Sequence, residues 1–240
     1  MTHDLEDDVL LVTGGVGRLG RAVALEGARR GARVVINTRT MRRDATQLVA
    51  TIVASGGRAS VGVADITEVN QVKKCFEEVR STFGPTTILL HCAAARGNHV
   101  GIANTSEEEW SRVAFTALDG AFLTSQAALG QMLERSRGRI IFVSGPASHL
   151  GQPAGSTHGA VSKAGLEGLA RAIAQEYGPL GVTANVVTFG MFDDDQSREP
   201  DMARRSISRP EAASLILDMC RLSFAAINGA TIMADSGLTV

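Results

Sequence analysis

The sequence predicts an α/β fold, a doubly wound parallel sheet of about seven strands with helices on both faces. Three observations predict it. Short apolar runs rich in Val and Ile recur along the chain, segments with helical spacing separate them, and glycines cluster where the first run meets the first helical segment. Strand and helix alternate throughout, and right-handed crossovers between such βα units leave the doubly wound arrangement as the natural topology.

The predicted strands are Val9–Val12, Arg33–Ile36, Ser60–Val63, Thr87–Leu90, Arg139–Val143, Val182–Val187 and Ala230–Met233. The predicted helices are Arg18–Arg30, Arg42–Ala54, Val69–Phe83, Ser106–Arg135, Gly159–Tyr177 and Pro210–Leu222. With 240 residues, 44% of them hydrophobic, the chain suits one domain spanning 1–240, and no linker, repeat or low-complexity tract divides it. The long irregular stretch 190–208 carries Asp193, Asp194 and Asp195 beyond the end of a late strand, where a substrate lid would lie.

Charge and cysteine usage narrow the function. Lys plus Arg number 24 against 25 Asp plus Glu, a formal net charge of -1, so no basic field points to nucleic acid or an anionic membrane. A small-molecule substrate is expected. The acidic start MTHDLEDDVLL lacks the basic and long apolar regions of a secretion signal, and no run reaches transmembrane length. The three cysteines, Cys75, Cys92 and Cys220, have no CxxC spacing and read as reduced thiols of a cytoplasmic protein, with neither disulfide framework nor metal site.

The glycines of LVTGGVGRLGRAVA lie between the first strand and the first helix, where backbone amides and the helix dipole suit a pyrophosphate. Taken alone, such a turn is also compatible with no ligand. The second strand ends in Asn37, Thr38 and Arg39, without the carboxylate that would accept hydrogen bonds from a ribose 2′-hydroxyl. Arg39, with Arg18, is placed to pair with a 2′-phosphate instead, which favours NADP(H) over NAD. Arg42 and Arg43 read as solvated residues at a helix start.

Over essentially its whole length the chain resembles the short-chain dehydrogenase/reductase family, whose domain is Rossmann-type. Thr13–Gly20 resembles the family's TGxxxGxG turn, with Arg18 at the middle glycine as in pteridine-reductase-like members. Ala64–Asp65 resembles the acidic residue that meets adenine, Gly138–Ser144 the fifth strand, SKAGLEGLARAIAQEYGPLGVTANVV the active-site helix and sixth strand, and INGATIMADSGLTV the ending. The resemblance implies cofactor contacts at Gly14, Arg18, Leu19, Gly20, Arg39, Asp65, Ile66, Ala93 and Lys163. It also implies a homodimer or homotetramer. Asp65 has a second reading as the cap of the next helix, with Thr67 as another candidate.

The catalytic half departs from the family. Alignment on Lys163 puts Gly159 at the family's tyrosine, Gly145 at its serine and Ala117 at its asparagine, and His91–Ala94 replace NNAG. The usual Asn, Ser and Tyr are therefore all absent. Lys163 reads as a ribose clamp. His158, five residues before it, is rotated by about 140° on a helix of about 3.6 residues per turn, and some dienoyl-CoA-reductase-like relatives have a histidine similarly placed. It reads either as a general acid or as a solvated histidine at the helix start. Ser144 substitutes for the serine only if the strand end bends. His149 and Ser148 read as polar loop residues, His91 as a local hydrogen-bonding group, Cys92 as a small buried side chain, and Tyr177 as a packing residue.

Three functions remain open at this level. One is an atypical NADP(H)-dependent oxidoreductase whose proton comes from His158, Ser144 or water, acting on an activated alkene or imine. The second is a lyase, isomerase or cyclase on the same fold. The third is a non-catalytic NADP(H)-binding subunit.

Overall fold

The computed structural model describes residues 4–95, 97–98, 100–145, 157–195 and 206–239. Seven strands form one parallel sheet: β1 (Val9–Thr13), β2 (Arg33–Thr38), β3 (Arg58–Val63), β4 (Ile88–His91), β5 (Gly138–Ser144), β6 (Val182–Phe189) and β7 (Thr231–Ala234), in the order β3-β2-β1-β4-β5-β6-β7. The order reverses at β1, so a crevice opens between the carboxyl ends of β1 and β4.

Among the described residues seven helices cover the sheet: α1 (Arg18–Arg29), α2 (Arg43–Ala54), α3 (Val69–Phe83), α4 (Glu107–Ala114), α5 (Gly120–Met132), α6 (Thr157–Tyr177) and α7 (Arg209–Met219). Alternation along β1 divides the core. Leu10 and Val12 join Leu48 of α2 and Leu217 of α7 on one face, while Val9 and Leu11 join Phe76 of α3 and Leu166 of α6 on the other. Both faces are thus apolar and covered, as continuous Val- and Ile-rich strands require.

The single helix expected over Ser106–Arg135 is corrected to four pieces: α4, a π-helical turn at Phe115–Asp119, α5 and a short 3-10 turn at Leu133–Arg135. Sequence periodicity cannot register the break, because one widened turn shifts the phase without changing residue types. At the break Ala117 is buried and Gly120 lies against Ile66, where an added Cβ would stand 2.5 Å from Ile66 Cδ1. π-turns of this kind are common at functional sites.

The helix-cap reading of Asp65 and Thr67 is also corrected. The N-cap of α3 is Glu68. Asp65 Oδ1 accepts from the backbone N–H and the hydroxyl of Thr67 at 3.0 and 2.7 Å, closing a tight turn before the helix rather than capping it. Of the stretch 190–208, residues 196–205 lie outside the described residues, as do Ser148 and His149. Its two flanks meet in a parallel bridge between Phe192 and Ile207.

Candidate active site

The nucleotide end of the crevice is built by close backbone approach. Gly14 has φ +62°, and a Cβ there would lie 2.9 Å from Ala93 Cα, so only glycine lets the first turn meet the end of β4. A Cβ on Gly20 would stand 2.5 Å from the Gly14 carbonyl oxygen. The turn and α1 are in contact. Gly17 caps α1 without a side-chain hydrogen bond and its first turn holds no acidic residue, which leaves that positive helix end open to an anion. The residues present therefore fit a dinucleotide.

Thr13 fastens the two strands that flank the crevice. Its hydroxyl accepts from the backbone N–H groups of Cys92 and Ala93 at 3.2 and 3.3 Å, which leaves its proton for His91 Nδ1 at 3.2 Å. That sets the His91 tautomer. Nε2 carries the ring proton, is buried without a hydrogen-bond partner among the described residues, and lies beside the Ala117 backbone. Burial, with the Lys163 charge nearby, drives the imidazole down to about 3, so it is neutral in the folded chain. The local hydrogen-bonding reading of His91 agrees with its contact to Thr13 at the end of β4.

Lys163 reaches from α6 across the end of β5 and donates to the Val143 carbonyl oxygen at 2.7 Å. Burial lowers its ammonium from the ordinary lysine value. One donor is spent and two remain. Cys92, near Lys163, is half-buried, and its thiol is pushed up to about 11 by burial, so it is protonated rather than nucleophilic.

His158 is not the solvated histidine that one reading expected. It is 3% exposed, and a Cβ on Gly97 would fall 2.2 Å from its Nε2. Nδ1 accepts the Gly159 backbone N–H at 2.8 Å, which places the neutral ring's proton on Nε2, 3.8 Å from Glu109 Oε1. The ring thus faces α4, away from the Lys163 contact. Glu109 in turn accepts from Asn98 N and Arg112 Nη2, both at 2.6 Å, and Arg112 first, then the Asn98 amide, hold its carboxyl below the usual range. Sequence reading missed Glu109 because nothing in its spacing from His158 relates two residues on different helices.

Ser144 is buried with its hydroxyl unpaired among the described residues and stands beside Thr188 in the β5–β6 register, whose hydroxyl is likewise unpaired. Around Gly145 there is room for a side chain, since the nearest atom to an added Cβ is the Phe189 carbonyl oxygen at 4.0 Å. Tyr177, the chain's only tyrosine, lies fourteen residues past Lys163 on α6, or about 21 Å along the helix.

Of the expected cofactor residues, Leu19 and Ile66 are core side chains that offer only backbone to a ligand. Arg39 is exposed and makes no hydrogen bond or ion pair among the described residues. Arg18, in contrast, is engaged by Asp194 and Asp195. The described residues contain no group of His, Cys, Asp or Glu that could hold a metal, and no helix long and apolar enough to cross a membrane.

A family model described as short chain dehydrogenase matches residues 8–203. The chain belongs to this family. The 3-oxoacyl-acyl-carrier-protein reductase FabG of Pseudomonas aeruginosa is 31% identical, over 98% of each chain. The Staphylococcus aureus reductase of the same name is 32% identical over 78% of this chain and 75% of its own. Among solved structures, a double mutant of a Serratia marcescens short-chain dehydrogenase/reductase superposes with a TM-score of 0.91 over 99% of this chain and all (100%) of its own, at 23% identity. The protein gox2181 gives the same TM-score of 0.91 at 26% identity, over 99% of this chain and 97% of its own. Short-chain dehydrogenases are oxidoreductases, and membership implies a nicotinamide cofactor.

Proposed function

We propose that this short-chain dehydrogenase uses NADP(H) to reduce an activated carbon–carbon double bond or an iminium of a small molecule, rather than a simple ketone. One observation carries the reading. The nucleotide half is intact, from the Gly14 turn to Lys163, while the only phenol in the chain lies about 21 Å down α6 from that lysine.

A bound nicotinamide supplies hydride. Lys163 keeps two N–H donors for the ribose after satisfying Val143, and its lowered pKa reflects a site that water enters poorly. A ketone becomes an alkoxide as hydride arrives and needs a positioned acid, worth about a hundredfold to ten-thousandfold in rate. Neither Gly159 nor Gly145 can donate one. An activated alkene is protonated at carbon, where water or Ser144 serves, since His158 is turned to Glu109, and an iminium needs no proton at all. The names of the relatives point to 3-oxoacyl reduction, but the residues that would assist it are replaced here.

Arg39, exposed at the end of β2 with no acidic neighbour on that strand, supports NADP(H) over NAD(H). NADPH is expected to raise the melting temperature more than NADH, and Arg39→Ala to remove the difference. Equal shifts in the natural protein would point to NAD(H). For the reaction, initial rates with a panel of ketones, activated alkenes and cyclic imines should favour the latter two. Gly159→Tyr should raise ketone turnover. Robust ketone reduction by the natural protein would refute the substrate assignment.

A further inference from the structure

The first residue of α1 already holds anions. Arg18 Nη1 donates to the Asp194 carbonyl oxygen at 3.0 Å and lies 3.2 Å from Asp194 Oδ2, and Nη2 donates to Asp195 Oδ1 at 2.7 Å. These carboxylates come from the segment after β6, 176 and 177 positions further along the chain. The contact spans the crevice mouth. It joins the glycine-rich turn on one side to the segment that follows β6 on the other.

The same two carboxylates have a second owner. Arg209, the first residue of α7, donates from Nε to Asp194 Oδ1 at 2.9 Å and from Nη2 to Asp195 Oδ1 at 3.0 Å, with its guanidinium 3.4 Å from the Phe192 ring centroid. Its side chain is 15% exposed, against 52% for Arg18. The two arginines are therefore unequal. Arg209 is stacked and largely shielded from solvent, while Arg18 is screened and cheap to release. If Arg18 leaves, Asp194 and Asp195 remain paired and the segment stays anchored to α7.

Arg18 also sits at the uncapped positive end of α1, where a phosphate would be placed. A phosphate and the two carboxylates then compete for one guanidinium. We propose that Asp194 and Asp195 set the affinity of the cofactor site: they occupy the Arg18 anion site in the cofactor-free chain, and a phosphate of the dinucleotide takes that site by displacing them. This rests on the reading of the chain as a dinucleotide-binding enzyme. The acidic pair thus sets the cofactor's affinity from the substrate side of the crevice, through an arginine whose release leaves both carboxylates anchored to Arg209.

Titration of NADPH and NADH into the full-length protein, at low and high salt, tests it. Asp194→Asn with Asp195→Asn is expected to tighten binding about three- to tenfold, since the displaced contacts are exposed ion pairs of small individual worth. Arg18→Ala should weaken binding, and in that background the asparagine substitutions should change affinity less than about twofold. A gain confined to NADPH assigns the site to the 2′-phosphate, and an equal gain for NADH assigns it to the pyrophosphate. Asp195→Asn alone, checked by circular dichroism, covers the case in which the double variant folds poorly. Unchanged or weaker binding by correctly folded asparagine variants would overturn the proposal while leaving the dinucleotide reading intact. No binding of either nucleotide by the natural protein would overturn both.

Discussion

At the scale of single residues, the end of the sheet beside the first βα turn is held by a few buried polar and glycine contacts. Thr13, Gly14 and Lys163 are held by backbone contacts that leave little freedom, while an added side chain at Gly145 would meet nothing nearer than 4.0 Å. His91 is the most perturbed of the groups between them. Burial drives its imidazole down to about 3, against an ordinary value of 6.5. Between those values an unfolded chain binds a proton that the folded one refuses, so the contribution is complete above about pH 6.5 and is lost as pH falls. In that window each unit of pH removes about 1.4 kcal/mol. His91→Asn is expected to flatten the urea-midpoint profile between about pH 6 and about pH 4, whatever its effect at neutral pH. An unchanged slope would assign the acid sensitivity to another group.

At the scale of elements, the first βα turn carries the tightest steric constraint of the site. Gly20 lies against the Gly14 carbonyl oxygen, and a methyl group at 2.5 Å from that atom forces α1 off the turn. Gly20→Ala is expected to cost about 1–3 kcal/mol in chemical denaturation and to abolish stabilisation by NADPH. A variant that keeps both would show that the turn can yield. The break between α4 and α5 is the other element-scale feature. Its π turn presents Ala117 to His91 and the first residue of α5, Gly120, to Ile66, both without bulk, so a helix of ordinary pitch would not pack there in the same register.

At the scale of the whole molecule, the outward faces of α4, α5 and α6 are more apolar than an isolated domain needs. Phe115, Phe122 and Val161 are 54%, 49% and 46% exposed, and a groove between α5 and α6 is lined by Phe122, Leu129, Leu169 and Tyr177. A second copy of the chain packed on this face would cover these side chains. Light scattering at micromolar concentration is expected to give a homodimer or homotetramer, and Phe122→Asp to shift it toward the monomer with a lower melting temperature. A monomeric natural protein would remove the assignment. Tyr177 packs at this face, in keeping with its expected structural role and its distance from the reacting end of α6.

The sequence by itself determined the layered sheet, its strand and helix order and the glycine turn, because each is written in local residue types or fixed spacings. Boundaries moved by only a few residues: β3 starts at Arg58 instead of Ser60, and α6 at Thr157 instead of Gly159. Tertiary structure alone decided where the polar side chains spend their hydrogen bonds. His158 turns to Glu109 because α4 packs against α6, Lys163 finds the Val143 carbonyl because β5 ends beneath it, and Arg18 meets Asp194 and Asp195 because the chain after β6 returns to the mouth of the crevice. Such partners lie tens to hundreds of positions apart. A periodic pattern reports which face of an element is apolar, but it carries no information about which distant charge a surface arginine will meet.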